Sequence, residues 1–182
     1  MKNTIVWTIM MCGLVATASA QEIWVSMEKN VSSISYDLTH PLHEVHAVSK
    51  DAESKMKIDR PKKRIMEVAS SVEVTTFDSG NSSRDSHAME VIDAIDYPEV
   101  NFTSTSVAEE GDSLRVTGKL TFHGMMKDIT IMAFVRWNES TVEVDGIFQL
   151  SLTAFNIERP SLLLIPVDDA LRFSFHAVYK NT

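Results

Sequence analysis

Cysteine is nearly absent from this chain. Of its 182 residues only Cys12 is a cysteine, and it lies in an apolar N-terminal run. A disulfide framework and a cysteine-based metal centre are therefore both excluded. Glycine and proline are sparse, six and five residues, which fits the absence of a low-complexity segment and leaves no glycine-rich loop to cradle phosphates. Positive charge is in short supply: 17 Lys and Arg stand against 25 Asp and Glu, a formal net charge of −8. That balance repels phosphate backbones and anionic membrane surfaces, so no nucleic-acid partner is expected. After residue 20 no apolar run approaches the ~18 residues that suggest a membrane-spanning helix. The one basic run, Arg60-Pro-Lys-Lys-Arg64, is expected to be a solvated turn between strands.

The N-terminus carries a signal of its own. Lys2 precedes an apolar stretch from Ile5 to Ala16, and small residues follow at Ala18-Ser-Ala20. A charged start, a short apolar middle and small residues before the cut describe a cleaved secretory signal peptide. Residues 1–20 are assigned to it and residues 21–182 to a single domain, placed in the periplasm or secreted. Met10 and Met11 before Cys12 do not suit a lipoprotein signal, which wants a small residue there.

Most of the remaining chain alternates apolar and polar residues with period two, the strand signature. Ile34, Tyr36 and Leu38 share one face. Met66, Val68, Ser70, Val72 and Val74 share another, as do Leu114 to Phe122 in steps of two, and Leu171 to Tyr179 likewise. With weaker runs at 22–27, 44–57 and 99–107, eight or nine strands are countable. Long antiparallel strands with one buried face suit either a sandwich or a closed barrel. One stretch breaks the alternation. In Arg84 to Val100, Ala88, Val91, Ile92 and Ile95 fall on one helical stripe. Ser83 or Asp85 can cap the first turn, and Pro98 is expected to end the helix.

Three constellations invite chemistry. Asp85-Ser86-His87 has the residue types of a hydrolase triad, but sequence neighbours point in different directions and cannot form the required line. His40, His43 and His46, spaced by three, would share a helical face and hold a metal. Pro41 and the preceding strand argue against that helix, so these histidines are read as loop and strand residues, with His40 hydrogen-bonded under a rim. Met125-Met126, the one adjacent methionine pair of the mature part, is read as filler in a turn rather than a copper site.

Motifs then occur in a telling order: Ser33-x-Ile-x-Tyr-x-x-x-His40, Phe77-Asp-Ser-Gly-Asn81, Arg84-Asp85-x-His87, Tyr97-Pro98-x-Val100-x-Phe102-x-Ser104, Gly118-Lys-Leu-Thr-Phe-His-Gly124 and Phe155-x-Ile-x-Arg-Pro160. Together they resemble the bacterial YceI-like family of exported polyisoprenoid-binding proteins, across essentially all of residues 22–180. The chain departs from the family pattern at Met125-Met126 and at Val45-His46-Ala47.

The resemblance implies an all-β, antiparallel, lipocalin-like barrel of about eight strands with one short helix at a mouth. It also implies a long amphiphilic isoprenoid, such as a polyprenyl or quinone tail, in the lumen. Arg84, Asp85, His87, Pro98 and Gly124 would be structural signature residues. Arg84 and His87 would tie the helix to the mouth. The expected lining is Tyr36, Leu38, Val72, Phe102, Leu120, Phe122, Val135, Phe148, Leu150, Phe173 and Phe175 from the strands, with Met89 and Ile92 from the helix. The expected function is lipid binding for transport, storage or stress protection, without catalysis, cofactor or metal. The resemblance leaves a homodimer open. Competing readings are an interaction barrel with a filled lumen, a histidine-based metal carrier, and a lipid-modifying enzyme acting at His40, His87 or His123.

Overall fold

The structure, a computed structural model, describes residues 22–111 and 113–180. The expected signal peptide and Cys12 lie outside them. Five strands precede the helix: β1 (Glu22–Ser26), β2 (Ser33–His40), β3 (His43–Ser49), β4 (Glu53–Asp59) and β5 (Arg64–Glu73). The helix is α1 (Ser82–Val91). Four long strands follow: β6 (Glu99–Glu110), β7 (Ser113–Phe122), β8 (Met125–Trp137) and β9 (Thr141–Ser151). A small hairpin, β10 (Ser161–Leu162) and β11 (Ile165–Pro166), precedes the last strand, β12 (Ala170–Lys180).

Ten strands form one antiparallel sheet in the order β1-β4-β5-β6-β7-β8-β9-β12-β2-β3. β12 is its seam. It pairs with β9 along its whole length and with β2 from Leu171 to His176. Below that point Met27 bridges Tyr179, and the Glu28 N–H donates to the Val178 carbonyl at 2.8 Å. The Val48 and Asp78 backbones exchange hydrogen bonds at 2.9 and 3.0 Å, which joins β3 to the segment that follows β5. Both ends of the sheet are thereby tied back to it. The result is the all-β, lipocalin-like barrel that the resemblance implies, its two end strands linked onward by the single bridges Met27–Tyr179 and Val48–Asp78.

One strand more than the countable runs arises because 44–57 is not a single strand. Ser49, fully buried, accepts a bond from the Asp51 N–H at 3.2 Å and sits 2.6 Å from the Thr76 hydroxyl. The chain bends there, so β3 stays with β2 while β4 crosses to β1 and β5. Inside the wall, alternate residues of β7, Leu114, Val116, Leu120 and Phe122, are buried with Met56, Ile58, Ile131, Val142 and Leu150. At ~1.5–3 kcal/mol for each such side chain, this core stands in for the missing disulfides.

The helix differs from expectation at both ends. Its cap is Asn81, whose side chain accepts the Arg84 N–H at 3.1 Å, not Ser83 or Asp85. It stops at Val91, well before Pro98. Asp93 adopts a left-handed φ of 47°, which reverses the chain. Ala94 is buried in consequence, and Ile95, expected on the apolar stripe, is 98% exposed. The basic turn also differs in part. Lys62 and Lys63 are exposed, but Nε and Nη2 of Arg60 are buried with no hydrogen-bond partner among the described residues.

Candidate functional site

Two adjoining cavities lie inside the barrel. The larger, about 580 Å³, opens at the mouth where α1, the β2–β3 turn and the 152–167 segment gather. The smaller, about 140 Å³, lies deeper along β4, β5 and β12. Ile34, Val72, Val100, Leu120 and Phe148 line both, forming the neck between them. The larger volume is typical of small-molecule sites.

Strand alternation sets the lining, and glycines make room within it. A Cβ on Gly118 would lie 2.5 Å from the Phe102 ring and 2.5 Å from the Thr103 carbonyl oxygen; one on Gly146 would lie 2.3 Å from the Phe175 ring. Both rings therefore rest on bare backbone. Nearer the mouth, Phe148 and Phe173 stack at 4.8 Å, Tyr36 meets the edge of Phe173 at 6.2 Å, and Phe77 lies 5.3 Å from Tyr36. These contacts build a preformed aromatic wall. Burial raises the Tyr36 pKa, and the nearby Asp85 carboxylate adds to the rise while Arg84 opposes it. The phenol therefore stays neutral as part of an apolar lining.

The expected lining residues fall as follows. Tyr36, Leu38, Met89, Ile92, Phe122, Leu150 and Phe173 border the larger cavity, and Phe102 and Phe175 the smaller. Val72, Leu120 and Phe148 border both. Val135 borders neither. It lies near Ile65, Leu114 and Trp137 around a separate hollow towards the opposite end, because β8 continues past the cavity floor. Val100 at the neck, Phe77, and the 157–167 segment were not anticipated. Neither were three polar residues of the deeper cavity, Ser54, Ser70 and Tyr179. Ser70 did carry a signal: it interrupts the apolar face of β5 between Val68 and Val72.

The signature residues fasten the mouth. Arg84 donates from Nε to the Ser79 hydroxyl at 2.8 Å and from Nη2 to the Ser79 carbonyl at 2.7 Å. Asp85 accepts from the Ser79 N–H and hydroxyl. Since Asp78 pairs with β3, Arg84 and Asp85 anchor the helix to the wall through this segment. His87 does not share that role; it is largely exposed and faces Glu90 on its own helix at 3.6 Å. The Pro98 carbonyl accepts the Val74 N–H at 2.9 Å. Gly124, at a φ of 68°, leaves space for the Tyr97 ring, which a Cβ would approach to 2.6 Å. Tyr97 in turn packs edge-on against His123 at 4.8 Å.

No catalytic geometry emerges from the candidate groups. Asp85 is engaged with Ser79 while His87 faces Glu90, so Asp85, Ser86 and His87 do not line up. Buried His40 accepts the Leu42 N–H at Nδ1 and donates from Nε2 to the Ile165 carbonyl, which uses both ring nitrogens. His123 donates to the Phe155 carbonyl and faces Asp93. His46 is paired with Asp37 at 2.7 Å rather than turned towards His40. Among the described residues no three His, Cys, Asp or Glu side chains converge as a metal site would require. Met125 and Met126 open β8, the turn itself being His123-Gly124, and Met126 is exposed.

Comparison with known proteins agrees with this geometry. The model of the YceI-like domain matches residues 26–179. Protein YceI of Salmonella newport is 25% identical over 150 residues, 78% of each chain. The crystal structure of Burkholderia cenocepacia BcnA superposes with a TM-score of 0.76 at 25% identity, covering 84% of this chain and 98% of that one. The Campylobacter jejuni YCEI protein gives 0.69 at 16% identity, covering 79% and 89%. A polyisoprenoid-binding domain from Saccharophagus degradans, implicated in plant cell wall breakdown, gives 0.67 at 11% identity, covering 86% and 97%.

Proposed function

Because the chain belongs to the YceI-like family, we propose that it is a non-catalytic, exported carrier that holds an amphiphilic isoprenoid lipid in its lumen. The observation that carries this reading is the pair of joined apolar cavities behind the mouth. A barrel built only for interaction would fill that space with side chains. The polyisoprenoid-binding domain of S. degradans, with the same fold, supports the ligand class. The N-terminal sequence supports export.

Energetics favour a long tail. Each buried methylene contributes ~0.8 kcal/mol, while association costs ~4–15 kcal/mol. A short apolar chain therefore gains little, and a chain of about twenty or more carbons, worth ~16 kcal/mol gross, overcomes the cost. The aromatic wall is already stacked, so little ordering is needed on binding. The direct test is solvent extraction and mass spectrometry of mature protein purified from its host, with uptake of a polyprenol by lipid-free protein as the second arm. A recovered lipid, or stoichiometric uptake, is expected. Repeated absence of lipid together with failure of uptake would overturn the reading.

A further inference from the structure

The deeper cavity is lined mainly by apolar side chains; Ser33, Ser71, Glu53 and His176 also border it, and three hydroxyl groups meet there in one cluster. The Ser54 hydroxyl lies 2.7 Å from the Ser70 hydroxyl and 2.7 Å from the Tyr179 phenol, and 3.4 Å from the Ala69 carbonyl. Register explains the meeting. Ser54 opposes Ser70 across β4 and β5, and Ser70 opposes lumen-facing Phe102 across β5 and β6. All three residues border the cavity. We infer that this cluster is the binding site for the uncharged hydroxyl end of the lipid, which enters the barrel head first. The inference rests on the lumen-binding reading above.

The donor and acceptor count supports it. Three hydroxyls bring three protons but two acceptor lone pairs each. However the protons point, the oxygens of the cluster keep acceptor sites that its own protons cannot fill. In the chain from Tyr179 to Ser54 to Ser70, the last proton is also free. A ligand alcohol can donate to the first and accept from the second, in an environment where an unmet polar group is costly. The charge around the cavity excludes the alternative of an anionic head. Apart from Tyr179, its ionisable lining residues among those described are Glu53 and His176, at the rim. Glu53 is paired with Lys29 at 2.7 Å and His176 with Asp145 at 2.7 Å. No free cation is left there to meet a phosphate.

The test compares geranylgeraniol, the hydrocarbon of the same carbon skeleton, and geranylgeranyl phosphate, each titrated against the mature protein and its Ser70→Ala and Tyr179→Phe variants. One lost hydrogen bond is worth roughly 0.5–1.5 kcal/mol, so either variant is expected to weaken the alcohol about 3- to 10-fold and leave the hydrocarbon within 2-fold. The phosphate should bind the unaltered protein more weakly than the alcohol, with no response to Ser70→Ala. Equal loss for alcohol and hydrocarbon, an unchanged alcohol, or a phosphate that binds tighter and responds to the variants would overturn this inference alone. Failure of the unaltered protein to bind any of the three would overturn the lumen reading with it. Ser70→Ala removes one half-buried oxygen, so it carries the test should Tyr179→Phe fold poorly.

Discussion

The neck between the two cavities makes ligand length a measurable quantity. An apolar cavity of about 150 Å³ accepts benzene, six carbons. On that scale the deeper cavity, about 140 Å³, takes roughly one isoprene unit, and the larger, about 580 Å³, roughly four. Affinity for a series of prenols should therefore climb with each unit up to about five and then level off, since further carbons remain in water. Val100 is half-buried at the neck. Val100→Phe should plug it from a position with free space in front. Losing five or six buried carbons at ~0.8 kcal/mol each removes about 4–5 kcal/mol, a factor of about a thousand for the longest prenols. The plateau should move down by one unit, while hydrocarbons of two or three isoprene units, which have no hydroxyl to place in the deeper cavity and fit the larger one alone, should keep their affinity. Competition against a fluorescent lipid, read across the series, measures both plateaus. The same plateau in both proteins, or no dependence on length in either, would refute the two-cavity account.

Two further outcomes follow from the wall itself. Gly118→Ala should lower stability by about 1–3 kcal/mol or more, because the Thr103 carbonyl 2.5 Å from the new Cβ is backbone and cannot swing aside; thermal unfolding should show a melting point lower by several degrees. Tyr179 offers a pH test. Burial pushes its phenol up to about 12 in the fold, against ~10 in the unfolded chain. Its folded pKa is the higher one, so the neutral phenol contributes fully below pH 10 and its contribution, about 2–3 kcal/mol, is lost as pH rises from 10 towards 12. Urea unfolding at pH 9 and 11 should show about half of that loss, and Tyr179→Phe should remove this share of the alkaline slope; an unaltered slope would mean the phenol is not buried in a dry site.

Much of the fold was legible because a strand writes its two faces directly into the sequence. Leu114, Val116, Leu120 and Phe122 announced the inner face of β7, and the same period located Phe148, Leu150, Phe173 and Phe175 beside the cavity. What depends on a single backbone angle was not legible. Asp93 in a left-handed conformation ended the helix where the apolar spacing continued through Ile95. Leu163 and Leu164, at φ of 52° and 66°, turn the β10–β11 hairpin although leucine rarely adopts that region. Depth along a strand was hidden too: Val135 has the correct parity but lies beyond the cavities. Ser70 looked like a lapse in an apolar face, and only its partners across the sheet, Ser54 and Tyr179, reveal a cluster.

The seam strand has a consequence for how the molecule comes into being. β12 is the last strand, yet β9, β2 and Met27 all depend on it, and the Val178 N–H reaches the Ser32 hydroxyl across 146 residues of chain. Such distant partners put the molecule among slow, high-contact-order folders. Until its final eleven-residue strand has docked, the polypeptide is an open ribbon whose unpaired edges and inner apolar face can recruit a neighbour. The step that shuts the internal chamber is therefore also the step that ends the chain's exposure to aggregation.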